Sequence, residues 1–291
     1  MTRILRVLAP NPGVYTLEGT NTWVVGEDPS IVIDPGPDDM GHIEEVRRSA
    51  GRVGAIVVTH DHEDHAKGAP RLSETTGAPI YAFHRSAGAN VVRDGQEISA
   101  GRTAVTTHHA PGHSPDHVVI FLAVEGALFT GDAILGRGTS VIDPPEGDLA
   151  AYLRSLQRMR ELRPRTIYPG HGPTVFDANG KLEEYVRHRA EREEQVLAAL
   201  SEGPRTIDAL VAEIYADYPP EVRPLAARSV LAHLLKLETE GRADHNGTGT
   251  KATYVRSEAT TCRRCGRPVR GKQTLCDRCS LAVLQEQPEG S

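Results

Sequence analysis

The chain has 291 residues, of which 38% are hydrophobic and 25% are charged, a composition typical of a globular protein with a large core and two or three domains. No apolar run approaches the roughly 20 residues that a membrane-spanning helix needs. The opening stretch "MTRILRVLAP" also lacks the apolar segment of a signal peptide. These features exclude a membrane-spanning or secreted class, so we expect a cytoplasmic protein without membrane contact.

The net charge of −6 is unevenly distributed along the chain. Residues 251–279 contain eight Lys or Arg and two acids, a balance of +6, which leaves −12 for the rest. A basic tail on an acidic body indicates that any contact with a polyanion is concentrated at the tail. The alternative is a charged end that is simply solvated.

The first half of the sequence alternates short apolar runs with turns and one helix. The runs "NTWVVG", "SIVIDPG" and "GAIVVT" predict neighbouring strands, and the last of them leads directly to His60. A helix is predicted over residues 64–76 and ends at Gly77, after which "PIYAF" predicts another strand.

Three further strands are predicted by "TAVTTHHA", "HVVIFLAV" and "ALFTGD", with a tight turn at Glu125-Gly126 between the last two. A helix with one apolar face then begins after Asp148, which is a typical N-cap, and stops at Pro164. The run "TIYPGHGP" predicts a strand that ends in a glycine-rich loop. Two groups of strands with interleaved helices predict an α/β fold in which a sandwich of two sheets is covered by helices.

The C-terminal third has a different pattern. A charged helix over about 181–200 leads to a helix capped by Thr206 and to a second helix over about 225–240. The run "RADHNGTGTKATYVR" then predicts a β-hairpin, so this part resembles a winged-helix domain. We expect domains at 1–190 and 191–257, and a segment at 258–291 that is too short to bury a core of its own.

A dense group of metal-ligand side chains follows the third predicted strand, in "THDHEDHAKGA". In an extended segment His60 and His62 point the same way, whereas Asp64 and His65 face elsewhere if a helix begins there. One loop would therefore supply two adjacent metals. Three more ligand side chains each follow a later apolar run: His113, Asp132 and His171. A lone loop histidine is usually a surface residue, but this ordered set predicts a metal site.

The motifs His-x-His-x-Asp-His, Pro-Gly-His, Thr-Gly-Asp and a second Pro-Gly-His, in this order over residues 60–171, resemble the metallo-β-lactamase superfamily. The resemblance implies an αββα sandwich with two catalytic zinc ions, for which manganese or iron are alternatives. One metal would be held by His60, His62 and His113, the other by Asp64, His65 and His171, with Asp132 bridging them. The bridging aspartate resembles the hydrolase branch and disfavours antibiotic hydrolysis.

The stretches "GTNTWVVG", "IVIDPGP", "FTGDAILG", "YPGHGP" and "LAHLLKLETEG" resemble the β-lactamase-like protein 2 group over about residues 5–257. The resemblance implies metal-dependent endoribonuclease cleavage of single-stranded RNA. Related fungal members imply an alternative, a thioesterase of the glyoxalase II kind that acts on a small or carrier-linked thioester. A third alternative is a nucleic-acid-binding regulator with an inactive core. Fold analogy does not choose among these.

Two metals that share a hydroxide would allow attack on either a phosphodiester or a thioester. Asp64 and Asp132 are expected to act as ligands that also accept a proton from the water. The sequence does not identify the acid that protonates the leaving oxygen: His84, His109 and His117 are candidates only, and for each of them a bystander role is the favoured interpretation.

Two residues near the first strands, Asp34 and Trp23, have two interpretations each, and a third has none. Asp34, in "VIDPG", is predicted to orient a ligand histidine, and the alternative is a turn aspartate before Pro35. Asn21 has no assigned role. Trp23 is predicted to be a core residue in preference to a stacking platform for a base.

The four cysteines of the chain lie in "CRRCGRPVRGKQTLCDRC", and their spacing predicts a zinc ribbon with one structural zinc. The ligands would be Cys262, Cys265, Cys276 and Cys279, and the alternative is a tail with free or disulfide-linked thiols. The winged-helix-like segment either binds nucleic acid through the helix bearing Arg228, His233 and Lys236, or walls the active-site cleft or forms a homodimer. We favour the second pair of roles, because Glu238 and Glu240 lie on the same helix.

Overall fold

The computed structural model describes residues 1–84, 88–257, 260–261, 264–265 and 268–269. The chain divides into two compact units, the first comprising Met1–Ile142 and Glu146–Arg187, and the second Asp143–Pro145 and His188–Ser291. The division at Arg187–His188 falls within one long helix, α5, over Ala178–Ser201.

The first unit contains two sheets. The strands of the first sheet, in spatial and chain order, are β1 (Ile4–Leu8), β2 (Asn21–Val25), β3 (Ser30–Ile33), β4 (Val53–Val57), β5 (Ile80–Ala82) and β6 (Asn90–Val91). Those from β3 to β6 are parallel. The second sheet has the order β11-β10-β9-β8-β7, built from β7 (Glu97–Ala100), β8 (Thr103–His109), β9 (Val118–Leu122), β10 (Ala127–Gly131) and β11 (Thr166–Pro169). Its edge strand β11 is parallel to β10.

Helices cover both sheets, and two apolar cores hold the layers together. The helices are α1 (Met40–Ala50), α2 (Glu63–Ala66), α3 (Ala69–Thr76) and α4 (Leu149–Glu161). One core joins the first sheet to α1 and α3, and the other lies between the sheets, where Ile33, Val57, Ile120 and Phe129 are fully buried. Side chains of α4 reach the loops that flank β8 and β10, such as Tyr152 Oη donating to the carbonyl of Ala133. The predicted αββα sandwich is confirmed.

The predicted helix over 64–76 is two helices, because α2 ends at Ala66 and α3 starts at Ala69. Pro70 explains the break: it lacks an N–H donor, and its ring would clash with the carbonyl of Ala66 in a continuous helix. The predicted end at Gly77 and the N-cap at Asp148, which accepts from the amide of Ala151, are confirmed.

The second unit contains the C-terminal half of α5, α6 (Ile207–Ile214), α7 (Arg223–Thr239) and a hairpin of β12 (Ala243–Asn246) and β13 (Thr253–Arg256), packed around a shared apolar core. Thr206 caps α6 as predicted. Helices followed by a hairpin form the predicted winged-helix domain. Two short strands follow, β14 (Thr260–Thr261) and β15 (Pro268–Val269).

The predicted zinc ribbon lies largely outside the described residues. Cys262, Cys276 and Cys279 are outside them, and Cys265 is an exposed residue. Within the described residues, no helix is long and apolar enough to span a membrane.

Candidate metal centre

The seven predicted ligand side chains come together at one end of the sandwich, because each follows a strand. The segment from His60 to His65 follows β4, and His113 lies in the loop between β8 and β9. Asp132 directly follows β10, and His171 comes two residues after β11. Both sheets therefore contribute ligands from rigid strand ends.

The first group of ligand atoms belongs to His60, His62 and His113, which lie within 4.8 Å of one another. His62 Nδ1 is 2.9 Å from His60 Nε2 and 3.2 Å from His113 Nε2. The loop after β4 and the loop before β9 therefore contact each other through these ring nitrogens.

The second group consists of Asp64, His65 and His171, again within 4.8 Å. His171 Nε2 lies 3.2 Å from His65 Nε2 and 3.2 Å from Asp64 Oδ2. Asp132 lies between the two groups: its Oδ1 is 3.3 Å from both His65 Nε2 and His171 Nε2, and its Oδ2 is 3.9 Å from His113 Nε2.

These donor atoms fit divalent metal ions. Imidazole nitrogens that face each other at 2.9–3.2 Å share either a proton or a metal ion, because two unprotonated nitrogens repel. Ligands at zinc–nitrogen distances of about 2.0–2.1 Å in a tetrahedron are themselves separated by roughly 3.3 Å. Asp132 Oδ1 is buried and has no hydrogen-bond donor among the described residues. Nitrogen and carboxylate donors of this kind suit zinc and its first-row neighbours.

The charges of the second group are strongly coupled. Burial alone raises the pKa of Asp132, but the adjacent His65 and His171 outweigh burial and hold that pKa well below its usual range. Burial lowers the pKa of His171, whereas Asp132 and Asp64 raise it to about 9. The pKa of His65 is raised well above its usual value against the effect of burial, by Asp132 and Asp34. The concentrated negative charge therefore already attracts cations.

The ligand histidines are oriented by acceptors on their other ring nitrogens. His65 Nδ1 lies 2.9 Å from Asp34 Oδ2, His113 Nδ1 lies 2.9 Å from the Val141 carbonyl, and His171 Nδ1 lies 3.2 Å from the Gly19 carbonyl. Such partners fix which nitrogen carries the proton and leave Nε2 for a metal. Asp34 is thus placed where the sequence predicted an orienting residue.

Asn21 holds the loop that carries His171, a role that the sequence did not reveal. Its Nδ2 donates to the carbonyls of Pro169 at 2.9 Å and Gly172 at 2.8 Å. The indole of Trp23 also donates to Pro169, at 3.0 Å, and the ring is 4% exposed, which confirms its prediction as a core residue. The two partners of Asn21 lie about 150 residues away in sequence, so no local pattern signals the contact.

Of the three histidines considered as leaving-group acids, His117 lies at the centre. It is fully buried, stacks on His60 at 4.9 Å, and its Nε2 accepts from the Asp132 amide at 3.2 Å. Because Nε2 of His117 is the acceptor in this hydrogen bond, the ring fixes the backbone at Asp132 and has no Nε2 proton to give to a substrate. His109 instead stacks on Phe83, with ring centroids 4.0 Å apart, and His84 is exposed.

Comparison with known proteins agrees with this architecture. A family model of the metallo-beta-lactamase superfamily matches residues 15–171, and one of the beta-lactamase associated winged helix domain matches residues 206–251. Among solved structures, a metallo-beta-lactamase family protein from Thermus thermophilus superposes with a TM-score of 0.71 at 24% identity, covering 88% of this chain and 98% of that one. A beta-lactamase domain protein from Burkholderia ambifaria gives 0.73 at 21% identity, with coverages of 88% and 91%.

The chain therefore belongs to the metallo-beta-lactamase superfamily of hydrolases. Within the superfamily it is similar to the curated Beta-lactamase-like protein 2 homologs. The Drosophila melanogaster protein is 33% identical, with 87% of this chain and 93% of the relative covered. The Caenorhabditis elegans protein is 34% identical, with coverages of 82% and 85%. The group resemblance inferred from the sequence is confirmed.

Proposed function

We propose that the protein is a hydrolase with two divalent metal ions that cleaves phosphodiester bonds of single-stranded RNA. The observation that supports a two-metal site is the position of Asp132. Its Oδ1 faces His65 and His171, while its Oδ2 faces His113 of the other ligand group. A carboxylate with one oxygen toward each of two ligand groups is suited to bridge two ions.

His60, His62 and His113 would hold one ion, and Asp64, His65 and His171 the other. Two divalent ions, when bound, supply an acidified water and positive charge for the developing oxyanion. The chain's own residues would do the rest: Asp34 keeps the Nδ1 proton of His65 in place, and Asp64 and Asp132, the two carboxylates among the proposed ligands, would accept a proton. None of this requires a serine or cysteine nucleophile.

Two features favour RNA as the substrate. The motifs that resemble the β-lactamase-like protein 2 group imply cleavage of single-stranded RNA, and the similarity to a member of that group extends over 87% of this chain and 93% of the relative. The stretch 251–279 has a balance of +6, which suits a polyanion more than a small thioester. We infer that this basic stretch, with one structural zinc if its four cysteines form the predicted ribbon, assists substrate binding.

The test compares metal-loaded wild-type protein with the Asp132→Ala variant on an unstructured, end-labelled RNA. Wild type should cut the RNA, and the variant should lose at least about 100-fold in rate, because loss of a bridging ligand exceeds the 10–100-fold typical of outer partners. The matched control is Asp38→Ala, which removes an exposed carboxylate that pairs with Arg71.

Equal cutting by wild type and Asp132→Ala would contradict the proposal, since a contaminating nuclease would then be responsible. A panel of small and carrier-linked thioesters run in parallel decides the substrate class. Turnover of a thioester by wild type without RNA cleavage would assign the same centre to thioester hydrolysis.

A further inference from the structure

A second concave site lies beside the segment that supplies the first four ligands, in the first unit. It is a cavity of about 240 Å³ at the carboxyl ends of the parallel strands β4 and β5. Crevices at the carboxyl ends of parallel strands are the usual ligand sites of such sheets. The wall is apolar and largely buried, formed by Val58, Ala66, Ala69, Pro70, Ile80 and Ala82.

The rim of this cavity is charged, and it belongs to the same segment that supplies four metal ligands. Asp61, Glu63 and Lys67 line the cavity and are exposed. Asp61 lies between His60 and His62 in sequence, and Glu63 directly precedes Asp64. The segment therefore presents ligands to the metal centre and its intervening residues to the cavity.

Two of the three charged side chains at the rim pair with each other, and the third, Asp61, has no side-chain partner among the described residues. Lys67 Nζ pairs with Glu63 Oε2 at 2.9 Å. The backbone amide of Asp61 donates to Asp116 at 2.9 Å, but its own carboxylate has no hydrogen-bond or ion-pair partner among the described residues. An apolar cavity below a lone carboxylate suits a flat apolar ring that carries N–H donors, and it repels a phosphate.

We propose that this cavity binds a nucleobase of the RNA strand next to the cleaved phosphodiester, with Asp61 accepting from its N–H groups. This inference rests on the proposed function. Guanine, which offers two adjacent donors, should be favoured over uracil, whose single N–H lies between two carbonyl oxygens. The acidic rim keeps the RNA backbone away from the cavity and toward the metal centre.

The experiment uses the full chain with metal and measures cleavage of short RNAs that differ at one base beside the cleaved bond. Wild type should prefer guanine over uracil by about tenfold, the size of discrimination that one good hydrogen-bonded base contact gives. Asp61→Asn keeps the shape of the side chain but replaces an acceptor oxygen with a donor NH2. This variant should reduce the preference for guanine over uracil to within about twofold, because the hydrogen-bonded contact that discriminates between the bases is lost.

A second variant, Ala66→Leu, narrows the cavity and should weaken cleavage of RNA through KM. Bis(p-nitrophenyl) phosphate, a diester whose rings carry no N–H donor, reports on the metal centre separately: Asp61→Asn should slow cleavage of the guanine RNA by a larger factor than it slows cleavage of this diester. The matched control is Glu74→Gln, an exposed acid on α3 that does not line the cavity and should retain the wild-type preference.

An unchanged base preference in Asp61→Asn, with RNA and diester cleavage intact, would overturn the inference but leave the proposed function standing. If wild type cuts neither RNA nor the diester, the proposed function fails. Binding of free nucleosides, monitored by NMR, then tests separately whether the cavity is a base site. Guanosine binding that Asp61→Asn abolishes supports a base site, whereas no binding of any nucleoside overturns it. A change in thioester chain-length preference in Ala66→Leu would also overturn it, since the occupant would then be an acyl chain.

Discussion

Asp34 connects the end of β3 to the ligand loop through hydrogen bonds to Thr59 and His65. It lies in a left-handed conformation at φ +50°, directly after β3. Its two oxygens accept from the Thr59 amide at 2.7 Å, the Thr59 hydroxyl at 2.8 Å and His65 Nδ1 at 2.9 Å. One carboxylate thus fixes both the start of the ligand loop and the ring of a ligand.

Asp34→Asn should lower metal affinity by about 10–100-fold, the usual effect of losing a partner of a metal ligand. Asparagine tolerates the left-handed backbone, but its NH2 group must face a donor, either His65 or Thr59. Competition with a chelator measures the affinity. The control is Asp39→Asn, which alters the exposed N-cap of α1, and equal affinities for both variants would contradict the role.

Metal binding should strengthen as pH rises from 6 to 8. In the metal-free protein the neighbouring carboxylates raise the pKa of His171 to about 9 and that of His65 well above its usual value, so both rings carry protons at neutral pH. Binding must displace these protons, and each one released makes affinity rise about tenfold per pH unit. Calorimetry in buffers of different ionisation enthalpy counts them, and an exchange of no protons at pH 7 would contradict the prediction.

At the scale of elements, the turn that follows β10 determines where Asp132 lies. Gly131 has φ +46°, and a Cβ there would lie 2.5 Å from Thr59 Oγ1 and 2.9 Å from His117 Nε2. The strand end therefore packs against the start of the ligand loop without room for a side chain. His117 completes the turn by accepting the Asp132 amide.

Gly131→Ala should destabilise the protein by about 2–4 kcal/mol, because backbone strain adds to the overlap with two buried side chains. Gly77→Ala is the control: that glycine has φ +71°, but a Cβ added there would have no atom within 4 Å, so strain alone should cost about 1 kcal/mol. Urea unfolding of the metal-free proteins measures both, and equal costs would contradict the packing argument.

Most elements were predictable from the sequence because apolar runs and caps are local signals. Asp148 and Thr206 illustrate this, since each accepts from an amide three residues ahead. The break between α2 and α3 was missed even though Pro70 signals it, because the apolar spacing continues across it. The role of Asn21 and the turn made by His117 depend on contacts between distant strands, which no local pattern contains.

At the scale of the whole molecule, the winged-helix unit should lose stability in mild acid because of His233. This residue of α7 is 1% exposed, and neither ring nitrogen has a hydrogen-bond partner among the described residues. Burial, reinforced by Arg189, Lys236, Arg192 and His188, holds its pKa well below the usual value. The unfolded chain therefore binds a proton near pH 6.5 that the folded chain does not, and stability falls as pH falls below that value.

The slope should be about 1.4 kcal/mol per pH unit below pH 6.5, and His233→Leu should remove it. The free energy of unfolding of this unit, measured in urea between pH 5 and 7, gives the slope for both proteins. Parallel curves for wild type and variant would contradict the assignment. His233 is buried, and Lys236 forms an ion pair with Glu193 at 2.6 Å.

The metal centre was predictable as a set because each of its residues follows an apolar run. The cavity beside it was not, because Asp61 and Glu63 read as spacers between ligands. Whether these residues line a cavity depends on which way an irregular loop turns, and the strand pattern fixes only where that loop begins.

The order of the ligands along the chain has a consequence for biosynthesis. The first ligand group is complete once residue 113 has been made. Asp132, the proposed bridging residue, follows, and the second group is complete only with His171, beyond the last strand of the sandwich. At 5–20 residues per second the ribosome needs roughly 6–22 s to pass from His60 to His171. Throughout this interval the nascent chain carries an incomplete set of ligands, so we expect the proposed pair of ions to be bound only after β11 has joined β10.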